Sequence, residues 1–294
     1  MPVAPNDHPF APVRSRYLLL LFFALSFWVG LVTGLASSLL GLDFNDPLLT
    51  YLVFILSFSL TAAAAWGYLQ RLGLKPRQLL GPRPRRYHWG LALGLVIPLI
   101  CFSLGSGLLS YALLYQAAPD WTLEQAESLL DLGQNTSQWP QLYRGLEAIA
   151  LLLVAPVAEE FLFRGVLLHR WAEKWGVLPA LLLSSFLFGL GHANPIGLTV
   201  VGLVWALLYL QSGSLWGPIL AHLLNNAAVY AFSLWGTPAA EPLSGPELAQ
   251  LLAEEWPRGA ALVAISGPLL AYYLYRCFPR AGARLPYGQN QGQS

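Results

Sequence analysis

Long apolar runs constrain this chain more than any other feature. Eight segments, near 17–41, 48–69, 89–116, 145–168, 177–193, 196–211, 214–236 and 259–278, are apolar on a membrane scale. A hydrocarbon core of about 30 Å takes about 20 such residues per helix. In lipid the backbone must satisfy its own hydrogen bonds, so these runs fold as helices. Composition agrees. Of 294 residues 56% are apolar and only 11% charged, against about 25% charged in a soluble domain. The expectation is an all-α, polytopic integral membrane protein with about eight transmembrane helices. The first run, about 25 residues, exceeds the roughly 7–15 of a signal-peptide core and is read as a retained span. A net charge of +1 gives no support to nucleic-acid binding. Two cysteines exclude a disulfide scaffold and a cysteine-rich zinc module.

Charge in the loops sets orientation. Arg14 and Arg16, the group Arg71, Lys75, Arg77, Arg83, Arg85 and Arg86, then Arg170 and Lys174, and finally Arg280 and Arg284 fall on one side if there are eight spans. Lys and Arg accumulate on the cytoplasmic side. Most acidic residues, such as Asp43, Asp46, Asp120 and Glu254, fall on the other. Both termini are predicted to be cytoplasmic, in the plasma membrane. The division reads 1–16 as a tail, 17–144 as three helices with loops, 145–236 as a four-helix core, and 237–294 as an outer loop, a last helix and a tail. A short amphipathic helix is expected near 124–132. Asn135-Thr136-Ser137 is a formal glycosylation sequon, and the tail after Pro279 reads as disordered.

Ionisable groups inside spans cost about 2.5–3.5 kcal/mol each on insertion scales, and they mark function by default. Five cluster here: Glu159, Glu160, Arg164, His192 and His222. Glu160 and Arg164 are four apart, acid first, which favours an ion pair on one helix face. Glu159 points about 100° away and has no local partner. It is either protonated or paired with another helix, and a shielded carboxyl is what a general base needs. His192 is a candidate partner, because 159 and 192 are equidistant from the turn near Trp175-Gly176. His222 and Asn226 share a face of the seventh segment, either as part of a site or as inter-helix glue. Pro156 and Pro218 each precede a charged residue by four and loosen the helix there.

Three motifs in order resemble those of the CAAX prenyl protease and bacteriocin-processing (Abi) family of intramembrane proteases. They are Glu159-Glu160-x-x-x-Arg164, Phe188-x-x-x-His192 and His222-x-x-x-Asn226. The resemblance covers about 145–235 and implies hydrolysis of a peptide bond inside the membrane. On that model Glu159, helped by His192, activates a water. His222 and Asn226 stabilise the oxyanion, and Glu160, Arg164 and Phe188 support the site. The favoured reading has no metal. If zinc is present, Glu159, His192 and His222 would bind it. Expected partners are membrane lipids and a peptide or protein substrate, lipidated or membrane-embedded. Two other readings remain at this stage: a non-catalytic binding or immunity protein on the same fold, and a transporter. Against a transporter, the charges occupy half the chain and no paired repeats occur.

Overall fold

In the computed structural model, residues 9–39, 41, 43, 46–125, 137–235, 247, 250, 251, 254–280 and 282–291 are described. Every regular element among them is helical. Helix α1 is Ser15–Leu39, α2 Pro47–Arg71, α3 Pro76–Leu80 and α4 Arg86–Ala117. A long helical rod then runs from 140 to 175. It comprises α5 (Pro140–Ile149), a π-helical turn π1 (Ala150–Val154), α6 (Ala155–Glu160), a second π segment π2 (Phe161–Leu167) and α7 (Leu168–Trp175). Helices α8 (Val177–Leu190), α9 (Pro195–Ser212), α10 (Trp216–Trp235), α11 (Trp256–Cys277) and α12 (Pro286–Asn290) complete the order.

Each apolar segment predicted from the sequence coincides with one of these helical runs. Among the described residues, five helices are long and apolar enough to cross a membrane: α1, α2, α4, α9 and α11. Helix α8 has 14 residues, about 21 Å at the helical rise and short of a hydrocarbon core. The rod from 140 to 175 carries Arg144, Glu147, Glu159, Glu160 and Arg164, and α10 carries His222, Asn225 and Asn226. Polar residues, not want of helix, set these two apart.

Local chemistry places the ends. Asp46 caps α2 by accepting from Leu48 N at 2.9 Å, with Pro47 in the first turn, where its missing N–H costs nothing. Asn194 caps α9 by accepting from Gly197 N at 3.0 Å. Its amide nitrogen also donates to Ser103 O at 2.6 Å and Ser106 Oγ at 3.2 Å on α4. That ties the α8–α9 turn to the middle of the bundle. Helices α4 and α11 approach closely at Gly105 and Gly259, where a Cβ on either would lie within 3 Å of the other's carbonyl oxygen. Small residues permit such contact between membrane helices.

At one end of the molecule the two terminal segments meet. Phe10 packs edge-on to Tyr287, with ring centroids 5.1 Å apart. Here the expectation of a disordered tail is corrected. Residues Pro286–Asn290 form α12. Asn290 Nδ2 donates to Gln78 O at 2.8 Å and Gly213 O at 3.0 Å, and Tyr287 Oη accepts from Lys75 N at 3.0 Å. A polar, glycine-containing tail reads as disordered by composition. It folds because its side chains satisfy backbone groups that the loops leave buried. The predicted amphipathic helix lies mostly outside the described residues, although 119–125 are helical. The sequon residues Asn135 and Thr136 also lie outside them.

Candidate active site

The rod from 140 to 175 departs from α geometry twice, on either side of Glu159 and Glu160. Pro156 explains the first departure. It has no N–H, and its ring would crowd the carbonyl four residues back in a regular α-helix. In π1 the Ala155 N–H reaches Ala150 O, five residues back. In that register the donor for Leu151 O would be Pro156, which has none to give. Asn226 Nδ2, from α10, donates to Leu151 O at 2.9 Å instead. The asparagine thus fills a vacancy that the proline creates, and it locks α10 against the turn before the two glutamates. Widened π turns of this kind recur at functional sites.

Glu159 and Glu160 are buried, at 5% and 0% exposure, as are Arg164 and His222 at 1% and 3%. The expected Glu160–Arg164 pair is present, with Nη1 to Oε1 at 2.9 Å. Two further bonds were not legible in the sequence. Arg164 Nη2 donates to Gly202 O at 2.8 Å, and His222 Nδ1 lies 3.1 Å from the same Glu160 Oε1. Glu160 therefore joins α6 to α10 while Arg164 joins π2 to α9. Gly202 leaves room for this. A Cβ there would sit 3.1 Å from both the Arg164 guanidinium and the Phe188 ring.

Phe188 stands at the centre of the aromatic groups. Its ring centroid is 4.7 Å from that of His192 and 6.0 Å from that of His222. The Arg164 guanidinium carbon lies 4.5 Å above it. Trp205 stacks on His222 at 4.2 Å. Trp205 was not singled out from the sequence, where it appears only as one more apolar residue of α9.

Histidine chemistry follows from the partners. His192 Nδ1 lies 2.7 Å from Phe188 O. A carbonyl only accepts, so Nδ1 carries the hydrogen and Nε2 keeps a lone pair when the ring is neutral. His222 Nδ1 likewise donates to Glu160. Its Nε2 becomes a donor only when the ring is protonated.

Glu159 shares no direct hydrogen bond with His192, the partner expected from equal depth. Both lie within electrostatic range of Arg164. Glu159 Oε2 is buried and accepts no hydrogen bond, as is Glu160 Oε2. His192 is half-buried, beside the exposed turn residues Gly191 and Ala193. The site thus has a closed end at Glu160 and an open end at His192.

A zinc ion needs three or four ligands gathered on one point. Among the described residues, no three His, Cys, Asp or Glu side chains are gathered in that way.

Residues 142–228 match the family model described as "Type II CAAX prenyl endopeptidase Rce1-like". That segment contains the whole polar cluster. Over that segment the chain is similar to CAAX prenyl endopeptidases of this type. A candidate membrane peptidase of Bacillus subtilis (strain 168), YdiL, is 31% identical over 111 residues, which cover 35% of this chain. The chain spans 46% of that relative's length. No solved structure matches significantly. Helices α1–α4 and α11 lie outside the matched segment.

Proposed function

We propose that the cluster around Glu159 is the active centre of an intramembrane endopeptidase. The observation that carries this reading is a buried carboxylate with an unpartnered oxygen, Glu159 Oε2, beside a hydrogen-bonded frame of Glu160, Arg164 and His222. A buried polar atom without a partner calls for an explanation, and a reacting water supplies one.

The chemistry needs no metal. Glu159 takes a proton from the water, and His192 Nε2 accepts a hydrogen bond that orients it. The hydroxide adds to the peptide carbonyl carbon. The oxyanion is met by protonated His222 through Nε2–H and by the second amide hydrogen of Asn226, the first being held by Leu151 O. A donor of this type is worth about 2.7–4 kcal/mol in the transition state. The proton on Glu159 then passes to the leaving nitrogen as the C–N bond breaks, and water and peptide are consumed in equal number.

The substrate is a peptide or protein at or in the membrane, lipidated or not, that reaches the site past the Gly191–Asn194 turn. We place the chain in the plasma membrane with eight crossings and both termini cytoplasmic, on the strength of the Arg and Lys distribution. The packing of Phe10 on Tyr287 supports having both terminal segments on one side.

The test is comparative proteomics of membranes that carry the wild-type chain or Glu159→Ala. New C-termini present only with the wild type support a peptidase. Full biological function in Glu159→Ala favours a binding or immunity role on the same fold. Elemental analysis of the purified protein separates the mechanisms. Stoichiometric zinc that tracks activity and is lost in His192→Ala would overturn the metal-free route.

A further inference from the structure

The tail and the site are connected by one buried histidine. His169, 1% exposed, lies on α7 just past π2. Its Nδ1 is 3.1 Å from Arg164 O, and its Nε2 accepts from Tyr287 N at 3.3 Å. Both bonds together require the neutral Nδ1–H tautomer, because a carbonyl cannot donate and a main-chain N–H cannot accept. The ring is held between Phe10, stacked at 4.9 Å, and Tyr209, edge-on at 5.7 Å.

The bond to Arg164 O has a local cause. At the end of π2 the Leu168 N–H passes over that carbonyl to reach Phe163 O. The donor that an α-helix would give Arg164 O is thereby lost, and the His169 side chain supplies one. Arg164 is also the residue whose guanidinium holds Glu160 and Gly202. Asn290 docks the tail independently, on Gln78 O and Gly213 O.

We propose that the C-terminal segment Leu285–Asn290 positions the site through His169. The docked Tyr287 N–H fixes the His169 tautomer, which fixes the Arg164 carbonyl in π2 and so the reach of its side chain to Glu160. His169 is a positioning residue, since it touches neither substrate nor reacting atoms. The kinetic arm of the test rests on the peptidase reading, while the spectroscopic arm does not.

The experiment uses the full chain in lipid nanodiscs with ring-¹⁵N-labelled histidine, of which there are five. His169→Gln assigns the signal. The wild type is expected to show His169 with hydrogen on Nδ1. Asn290→Ala, whose side chain contacts neither His169 nor the site, is expected to release the tail. The His169 signal then moves toward the Nε2–H tautomer, and the His222 ring signal shifts with it through Arg164 and Glu160. With a cleaved substrate in hand, kcat falls about tenfold and KM stays within about twofold, as expected for misplacement rather than lost binding. A chain ending at Ala283 shows a larger loss, which synthetic peptide 284–294 restores. Unchanged His169 and His222 signals in both variants would overturn the proposal. So would a wild-type kcat in Asn290→Ala after the tautomer has changed. If the shortened chain does not fold, Asn290→Ala alone decides. A wild type that cleaves nothing would sink the peptidase reading, and the two nitrogen signals would still decide the coupling.

Discussion

Helices α1 and α9 are both long and apolar, yet they are used in opposite ways. Of the 25 residues of α1 only Leu18, Thr33 and Ser37 are buried, and Phe23, Phe27 and Trp28 stand 58–66% exposed. Helix α9 is exposed at its first turn, where Ile196 is 61% exposed, but is buried through its middle, with Val201, Val204, Trp205, Ala206, Leu207, Leu208 and Tyr209 almost inaccessible. In water an exposed apolar face is a liability, but against lipid it is solvation. What distinguishes the two helices is the neighbour. The first packs mainly on α2, apart from Ser15 at its start, whose Oγ accepts from Trp171 Nε1 at 3.2 Å, whereas α9 meets α4, α8, α10 and α11 and lends its Gly202 carbonyl to Arg164. Hydropathy finds both helices and cannot rank them. Polar partners do.

That contrast can be broken by substitution. The largest effect is expected at the buried ion pair. Arg164→Ala leaves Glu160 charged and half-partnered, which costs about 3–5 kcal/mol. A steep fall in the thermal midpoint in detergent would show it, and a change within error would mean that the network carries no load. Next comes Asn226→Ala, which strips the Leu151 carbonyl of its donor for about 1–2 kcal/mol. Asn226→Asp should match it, since a carboxylate cannot donate. An Asp variant as stable as wild type would contradict the proline-vacancy account.

A smaller effect is expected at the edge of the bundle. Asp46 caps α2 and also accepts from Ser137 Oγ and Gln138 N, each at 3.1 Å. Partial burial pushes its carboxyl up, but the three hydrogen bonds outweigh it and hold it below its ordinary value of 3.8. A group lowered on folding contributes stability above its unfolded pKa and loses it as the pH falls through the folded one. Asp46→Ala should therefore cost about 1 kcal/mol at pH 7, and the gap to wild type should close in acid. A gap independent of pH would contradict this. The smallest change is expected on the lipid face, where Phe23→Leu should shift stability by less than about 0.5 kcal/mol. A large loss there would show that α1 is covered by a partner rather than by lipid.

The sequence made much of this readable, for physical reasons. Helix positions followed from apolar length, and the Glu160–Arg164 pair followed from helical spacing, because both depend on nearby residues. The His222–Glu160 bond spans 62 positions, and no local pattern encodes it. The π turns leave only Pro156 as a trace, and the vacancy at Leu151 needs the register to be seen. Asn194 carried a signal in Asn194-Pro195, a residue suited to a helix cap before a proline, but its bonds to Ser103 and Ser106 depend on packing. The tail was misread because composition weighs polarity without knowing which backbone groups await a donor.

The proposal turns on the Glu159 carboxyl, whose Oε2 accepts no hydrogen bond, doing the chemistry. It is tested most directly by turnover of a membrane peptide in proteoliposomes, comparing wild type with Glu159→Gln. The substitution keeps the size of the side chain and removes the base, so stability should be retained. Cleavage should fall by about 10²–10⁴-fold, the usual contribution of a positioned general base. Cleavage at the wild-type rate by a folded Glu159→Gln protein would contradict the account.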